Sequence, residues 1–142
     1  MTPMRHSLGD MLRAGEAAAA VTAASLAIRL LPFRWLVVLM GRADPRGTST
    51  AVDPAHVRVA VRRASRRLPW RTLCFQEGLA THWMLRRRGL ASRLHYGIRQ
   101  QADALSAHVW VEVGGMPVIG AEEPATAHSP VAVYPAVAGR FP

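Results

Sequence analysis

The stretch CFQEGLATHWMLRRRGLASRLHYGI, Cys74 to Ile98, changes its hydrophobic period at Gly89, and that change decides the fold. Up to Gly89 it reads as one helix, Cys74–Arg88, entered from Thr72 or Leu73 and closed by Arg86, Arg87 and Arg88 ahead of a glycine. Cations in a last turn oppose the negative end of the helix dipole, and Gly accepts the left-handed turn that ends a helix. These three arginines therefore read as structural. Beyond Gly89, Leu94, Tyr96 and Ile98 alternate with His95, Gly97 and Arg99, which is the period of a half-buried strand. Gln100–Ser106 reads as a polar loop. HVWVEV, His108–Val113, alternates again, with Val109, Val111 and Val113 on one face and His108, Trp110 and Glu112 on the other. Gly114-Gly115 predicts a hairpin turn into a strand over Met116–Ile119. A last strand is predicted at Val131–Tyr134, within a Pro- and Ala-rich tail.

Upstream the chain is helical. After a frayed 1–10, an Ala- and Leu-rich helix is predicted from about Leu12 to Leu31, where Pro32 stops it. A short helix, Phe33–Met40, ends at Gly41, and Arg42–Thr50 reads as a loop of Gly, Pro, Asp, Ser and Thr. Asp53 as cap and Pro54 at the first position open a third helix, with Val57, Val61, Ala64 and Leu68 as its core face. Helices first and an antiparallel meander after them make an α+β domain. At 142 residues the chain is too short for two comfortable domains. Residues 1–70 are therefore read as a helical preface to the core at 71–142, both parts of one domain.

The formal charge of +9 comes from arginine alone, since the chain has no lysine. It favours acidic partners: a peptide, a protein, a phosphate backbone or an anionic membrane. Arg58, Arg62 and Arg66 line one face of the third helix, with Arg63 and Arg67 beside it. That face reads either as a solvated surface or as a dock for an acidic leader peptide, partner or membrane. One cysteine excludes an internal disulfide and so a stapled secreted scaffold. The uncharged run Ala17–Ile28 is short for a bilayer span, which needs about 20 apolar residues. Arg29 and Arg34 interrupt its continuation, and no small-residue cleavage site follows directly. The expectation is an apolar helix of the folded domain in a cytoplasmic protein. Membrane association is compatible with the charge but not predicted. With one Cys, no H-x-x-x-H, no paired-carboxylate cluster and no Gly-rich phosphate loop, no metal, nucleotide or other cofactor is expected. Nucleic acid is not expected either, because the arginines lack interleaved aromatics.

The chemistry-bearing residues converge on one plan. Cys74 opens a helix, where unpaired backbone N–H groups and the helix dipole stabilise a thiolate. The alternative is a buried, inert thiol. His108 begins a strand on the face opposite the valines, and a hairpin returns a second strand beside it. Glu122 or Glu123, just past that strand, can orient its imidazole. Nucleophile, base and acid then come from a helix start and two adjacent strands. Gln76 is a candidate to bind substrate backbone, with an exposed first-turn Gln as the alternative. Trp110 either walls the site or packs in the core. His82, two turns down the Cys74 helix, reads as a packed histidine. His6, His56, His95 and His128 have no ligand-like spacing.

The segment from Cys74 to about Tyr134 resembles the C-terminal half of the lasso-peptide leader peptidases, a branch of the transglutaminase-like cysteine peptidases. The Cys opening a helix, the strand after Gly89 and HVWVEVGGMPV carry the likeness; residues 12–70 resemble the family more loosely. The resemblance implies a transglutaminase- or papain-like core, with Cys74 as nucleophile and His108 as base. It also implies an acid twelve positions after the His, but that position is Gly120. The first acids beyond it are Glu122 and Glu123, and a small shift in the hairpin assigns the role to Glu122. The implied activity is removal of a leader peptide from a ribosomally made lasso-peptide precursor. Acyl transfer to an amine and a non-catalytic binding module of a peptide-maturation complex remain as alternatives. The implied partners are the precursor peptide, a leader-recognition protein acting in trans, and an asparagine-synthetase-like cyclase.

Overall fold

The computed structural model describes residues 7–41, 52–120, 122 and 128–135. The expected loop Arg42–Thr50 therefore lies outside the described residues, as do His6 and Glu123. Helix α1 spans Leu8–Leu30, starting earlier than apolar periodicity predicts. The reason is a capping box: Ser7 Oγ accepts from the Asp10 N–H at 3.2 Å, and the Asp10 carboxylate accepts from the Ser7 N–H at 3.2 Å. Pro32 ends the run by capping α2, Phe33–Met40. Helix α3, Pro54–Arg67, opens on Asp53, whose Oδ1 accepts from the Ala55 N–H at 2.9 Å. Helix α4 runs Cys74–Arg87, and Gly89 takes the left-handed conformation at φ 77° that turns the chain into the sheet. Arg88 is structural as its position suggests. Its guanidinium binds Glu16 of α1 (Nη1 to Oε1, 2.9 Å), and this contact holds the Glu16 carboxyl below the usual carboxylate range against the opposing effect of burial.

Four strands follow: β1 Ser92–Gln101, β2 Ala104–Val113, β3 Met116–Ile119 and β4 Ser129–Tyr134. They form one sheet in the order β3-β2-β1-β4, with every neighbouring pair antiparallel. The predicted loop Gln100–Ser106 is corrected to a tight hairpin. Arg99 pairs with Ser106 and Gln100 with Leu105, leaving Ala102 and Asp103 as the turn. These hairpin residues are almost all exposed, so no buried face imposes an alternation that a sequence reading could detect. Leu94 opposite Val111 and Tyr96 opposite Val109 line the face that receives the helices. Val21, Val57, Val61, Leu79 and Leu85 complete the core from α1, α3 and α4. The result is the α+β arrangement expected: N-terminal helices, then a Cys-bearing helix packed on a small antiparallel sheet.

Candidate active site

Helix α4 meets strand β2 at a point that no side chain would permit. A Cβ on Gly78 would lie 2.7 Å from Val109 Cγ1, so only a glycine lets the helix settle this close. Gly78 stands one turn after Cys74, and Val109 is the neighbour of His108. The glycine contact thereby brings the start of α4 to the start of the buried part of β2. There Cys74 and His108 border the same cavity, of about 250 Å3, together with Leu73, Val109, Ile119 and Gly120. Cys74 is half-buried at the first position of α4, the end of a helix whose first N–H groups have no intrahelical partner.

The imidazole is oriented by backbone. His108 Nε2 lies 2.7 Å from the carbonyl oxygen of Gly120, the residue twelve positions on. A carbonyl only accepts, so Nε2 carries the hydrogen and the lone pair of the neutral ring sits on Nδ1. Gly120 holds this carbonyl in place through a left-handed φ of 82° and a very close approach. A Cβ there would sit 2.5 Å from the Val109 carbonyl oxygen and 2.9 Å from Trp110 Cα. The position where the resemblance implies an acid thus supplies a main-chain acceptor instead.

Glu122, expected beside the imidazole, lies at the cavity rim and pairs with Arg62 of α3. Arg62 also lies 3.4 Å from Glu77 of α4, so this arginine bridges the α4 start to the segment after β3. One member of the arginine face therefore turns inward to the site, while Arg58, Arg63, Arg66 and Arg67 are exposed. Gln76 commits its side-chain oxygen to the Leu73 N–H at 2.7 Å and acts as a cap of α4. Trp110 is buried and backs the imidazole from the outer face of the sheet, with ring centres 6.1 Å apart. It stacks on His95 at 5.1 Å and donates its indole N–H to Glu112 at 3.1 Å. His128 also lies against the His108 ring, with ring centres 5.0 Å apart. Gly97 makes room for this pillar, since a Cβ there would meet Trp110 Cζ3 at 3.0 Å.

His82 lies fully buried two turns further along α4 and is of a different kind. Its Nε2–H donates to the Met40 carbonyl at 3.1 Å, and its Nδ1 accepts from the Ser92 hydroxyl at 2.8 Å. Burial pushes its pKa down to about 4, so the ring is a neutral pin between α4, α2 and β1.

The sequence marks Arg62 only as one of an arginine face and Gly120 only as the position where the implied acid is missing, and it does not single out Gly78. A glycine inside an otherwise good helix pattern and a glycine at the expected acid position were the signals available for two of them. Nothing in the local pattern singled out Arg62 from its neighbours.

No curated protein and no solved structure matches the chain. A family model does, over residues 14–133, so the likeness takes in the helical preface as well as the Cys–His core. Cysteine peptidases and acyltransferases are both found in that family, and by this match the chain belongs to the transglutaminase-like superfamily.

Proposed function

We propose that the chain is a cysteine peptidase that removes the leader peptide from a lasso-peptide precursor. The observation that carries the catalytic part is the shared cavity of Cys74 and His108, with the imidazole anchored through Nε2 on Gly120. Nδ1 of His108 takes the Cys74 proton, and the thiolate attacks the carbonyl at the leader–core junction. First-turn N–H groups of α4 stabilise the oxyanion. The imidazolium then protonates the leaving amine, the new N-terminus of the core peptide. Water, deprotonated by His108, hydrolyses the thioester and restores the thiol. Cys74, His108 and the Gly120 carbonyl form the working set, and Glu122 acts at the rim through Arg62. The leader-peptide assignment rests on the likeness carried by HVWVEVGGMPV and by the Cys-bearing helix. A leader-recognition protein supplies affinity in trans, and the cyclase takes the released core peptide.

The test is incubation of the chain with a candidate precursor and its recognition protein, read by mass spectrometry. Free leader ending in a carboxylic acid and a core peptide with a free amino terminus are expected, together one water heavier than the precursor, and Cys74→Ala abolishes both while remaining folded by circular dichroism. Cleavage retained by folded Cys74→Ala rejects the nucleophile. Conjugates to an added primary amine in place of hydrolysis move the assignment to acyl transfer.

A further inference from the structure

One hydrogen bond fixes an imidazole at one atom and leaves the ring free to turn about it. For His108 that tether is the 2.7 Å contact of Nε2 with the Gly120 carbonyl. The direction of Nδ1 then depends on what touches the rest of the ring. Trp110 does so from the same strand, two residues on, with ring centres 6.1 Å apart and an interplanar angle of 21°. His128 does so at a shorter 5.0 Å and an angle of 31°. It comes from the residue immediately before β4 and is only 3% exposed.

The sheet explains how a residue so distant in sequence reaches the site. His108 on β2 stands opposite Gly97 on β1, and Gly97 stands opposite Pro130 on β4. Neighbouring strands lie about 4.8 Å apart, so β2 and β4 are separated by roughly twice that, with β1 between them. A side chain on β1 at this point would stand between the two rings. A Cβ on Gly97 would lie 3.0 Å from His128 Cβ and 3.0 Å from Trp110 Cζ3, so only the glycine leaves the passage open. The pairing of β1 with β4 shifts register between Tyr96 and Gly97, at the same point. Trp110 is held independently, because its indole donates to Glu112 at 3.1 Å and its ring stacks on His95 at 5.1 Å.

We propose that His128 is a positioning residue for His108, holding its ring against turning about the Gly120 hydrogen bond. His128 does not border the cavity of Cys74 and His108, so it acts through His108 alone. The last strand thereby contributes to the site: β4 pairs with β1 and delivers a ring face across Gly97 to the base. This inference rests on His108 serving as the base for Cys74 and is independent of which peptide is cleaved.

Alkylation of Cys74 by iodoacetamide at neutral pH is compared in folded wild type, His108→Ala, His128→Ala and His128→Phe. His128→Ala opens a space beside the imidazole and is expected to react at least about fivefold more slowly than wild type, toward the His108→Ala rate. His128→Phe keeps a flat ring there and is expected to recover to within about twofold of wild type. Isotope-labelled histidine gives a second readout, with the His108 signal assigned by its loss in His108→Ala. The Nε2–H tautomer is expected in wild type and His128→Phe, and a mixture of tautomers in His128→Ala. Should His128→Ala fail to fold, His128→Leu, of similar volume but without a flat ring, is read in its place. A wild-type rate in the folded Ala or Leu variant overturns the proposal and leaves the base in place. So does His128→Phe as slow as His128→Ala, because a polar atom and not the ring face would then be required. Wild type no faster than His108→Ala removes the base, and this proposal with it.

Discussion

Helix α4 adjoins two histidine environments, His82 in its own interior and His108 of β2 at its start. In its interior, His82 has both ring nitrogens satisfied, by Met40 and Ser92, and is fully buried. At its start, Cys74 shares a cavity with His108, whose Nε2 is anchored on Gly120 and whose Nδ1 carries the lone pair. The difference shows what turns a histidine from a pin into a base. His82 has both nitrogens paired inside the protein, whereas His108 has one nitrogen fixed and borders a cavity that it shares with a cysteine. Orientation at the site comes from main chain, held by two close glycine contacts, Gly78 on Val109 and Gly120 on Val109 and Trp110.

The largest effect expected from breaking this contrast is at His108. His108→Ala should lower the cleavage rate by about 10^3-fold or more while leaving the unfolding transition nearly unchanged, as read by single-turnover kinetics and urea titration. His82→Ala should do the reverse, with large destabilisation from an emptied, polar-lined core site.

Gly120→Ala comes next. At φ 82° and with the Val109 carbonyl in the way, the residue must shift, at a cost of about 1–3 kcal/mol. The carbonyl moves off His108, and turnover should fall roughly 10- to 100-fold through kcat.

The pH dependence of stability reads His82 without substrate. His82 has its folded pKa lowered from 6.5 to about 4, so the unfolded chain binds the extra proton in that window. Its contribution is therefore present above about pH 6.5 and is lost as pH falls toward 4, by roughly 3 kcal/mol in all. His95, also held down by burial despite Glu112, acts in the same direction. Urea unfolding at pH 7.5 and 4.5 should show the loss in wild type and a smaller loss in His82→Gln.

The smallest effect belongs to Glu122. With the imidazole on Gly120 and Glu122 on Arg62, Glu122→Gln should change kcat by less than about threefold. An orienting acid would cost 10^2-fold or more on removal. A loss of that size would return the role to Glu122.

Much of this contrast was legible in the sequence, and the gaps have physical reasons. Pro32, Gly41, Asp53-Pro54 and Gly89 are strong punctuation, and the structure keeps α2, α3 and α4 within a residue of where those signals place them. The start of α1 was missed because the Ser7–Asp10 box is a polar signal ahead of the apolar run. The β1–β2 hairpin was read as a loop because its residues are solvated on both faces and carry no alternation. Cys74 and His108 were readable as side chains with chemistry, but the orienting group is a carbonyl, which every residue has. Only the glycine at that position, twelve after the histidine, hinted that backbone rather than a side chain would approach.

The most direct measurement is the alkylation rate of the single cysteine, which reads Cys74 alone and needs no substrate. Folded wild type is expected to react with iodoacetamide at neutral pH at least about tenfold faster than His108→Ala, with His82→Gln matching wild type. Equal rates in wild type and His108→Ala, both no faster than in the urea-unfolded chain, would contradict a Cys74–His108 pair at the head of α4.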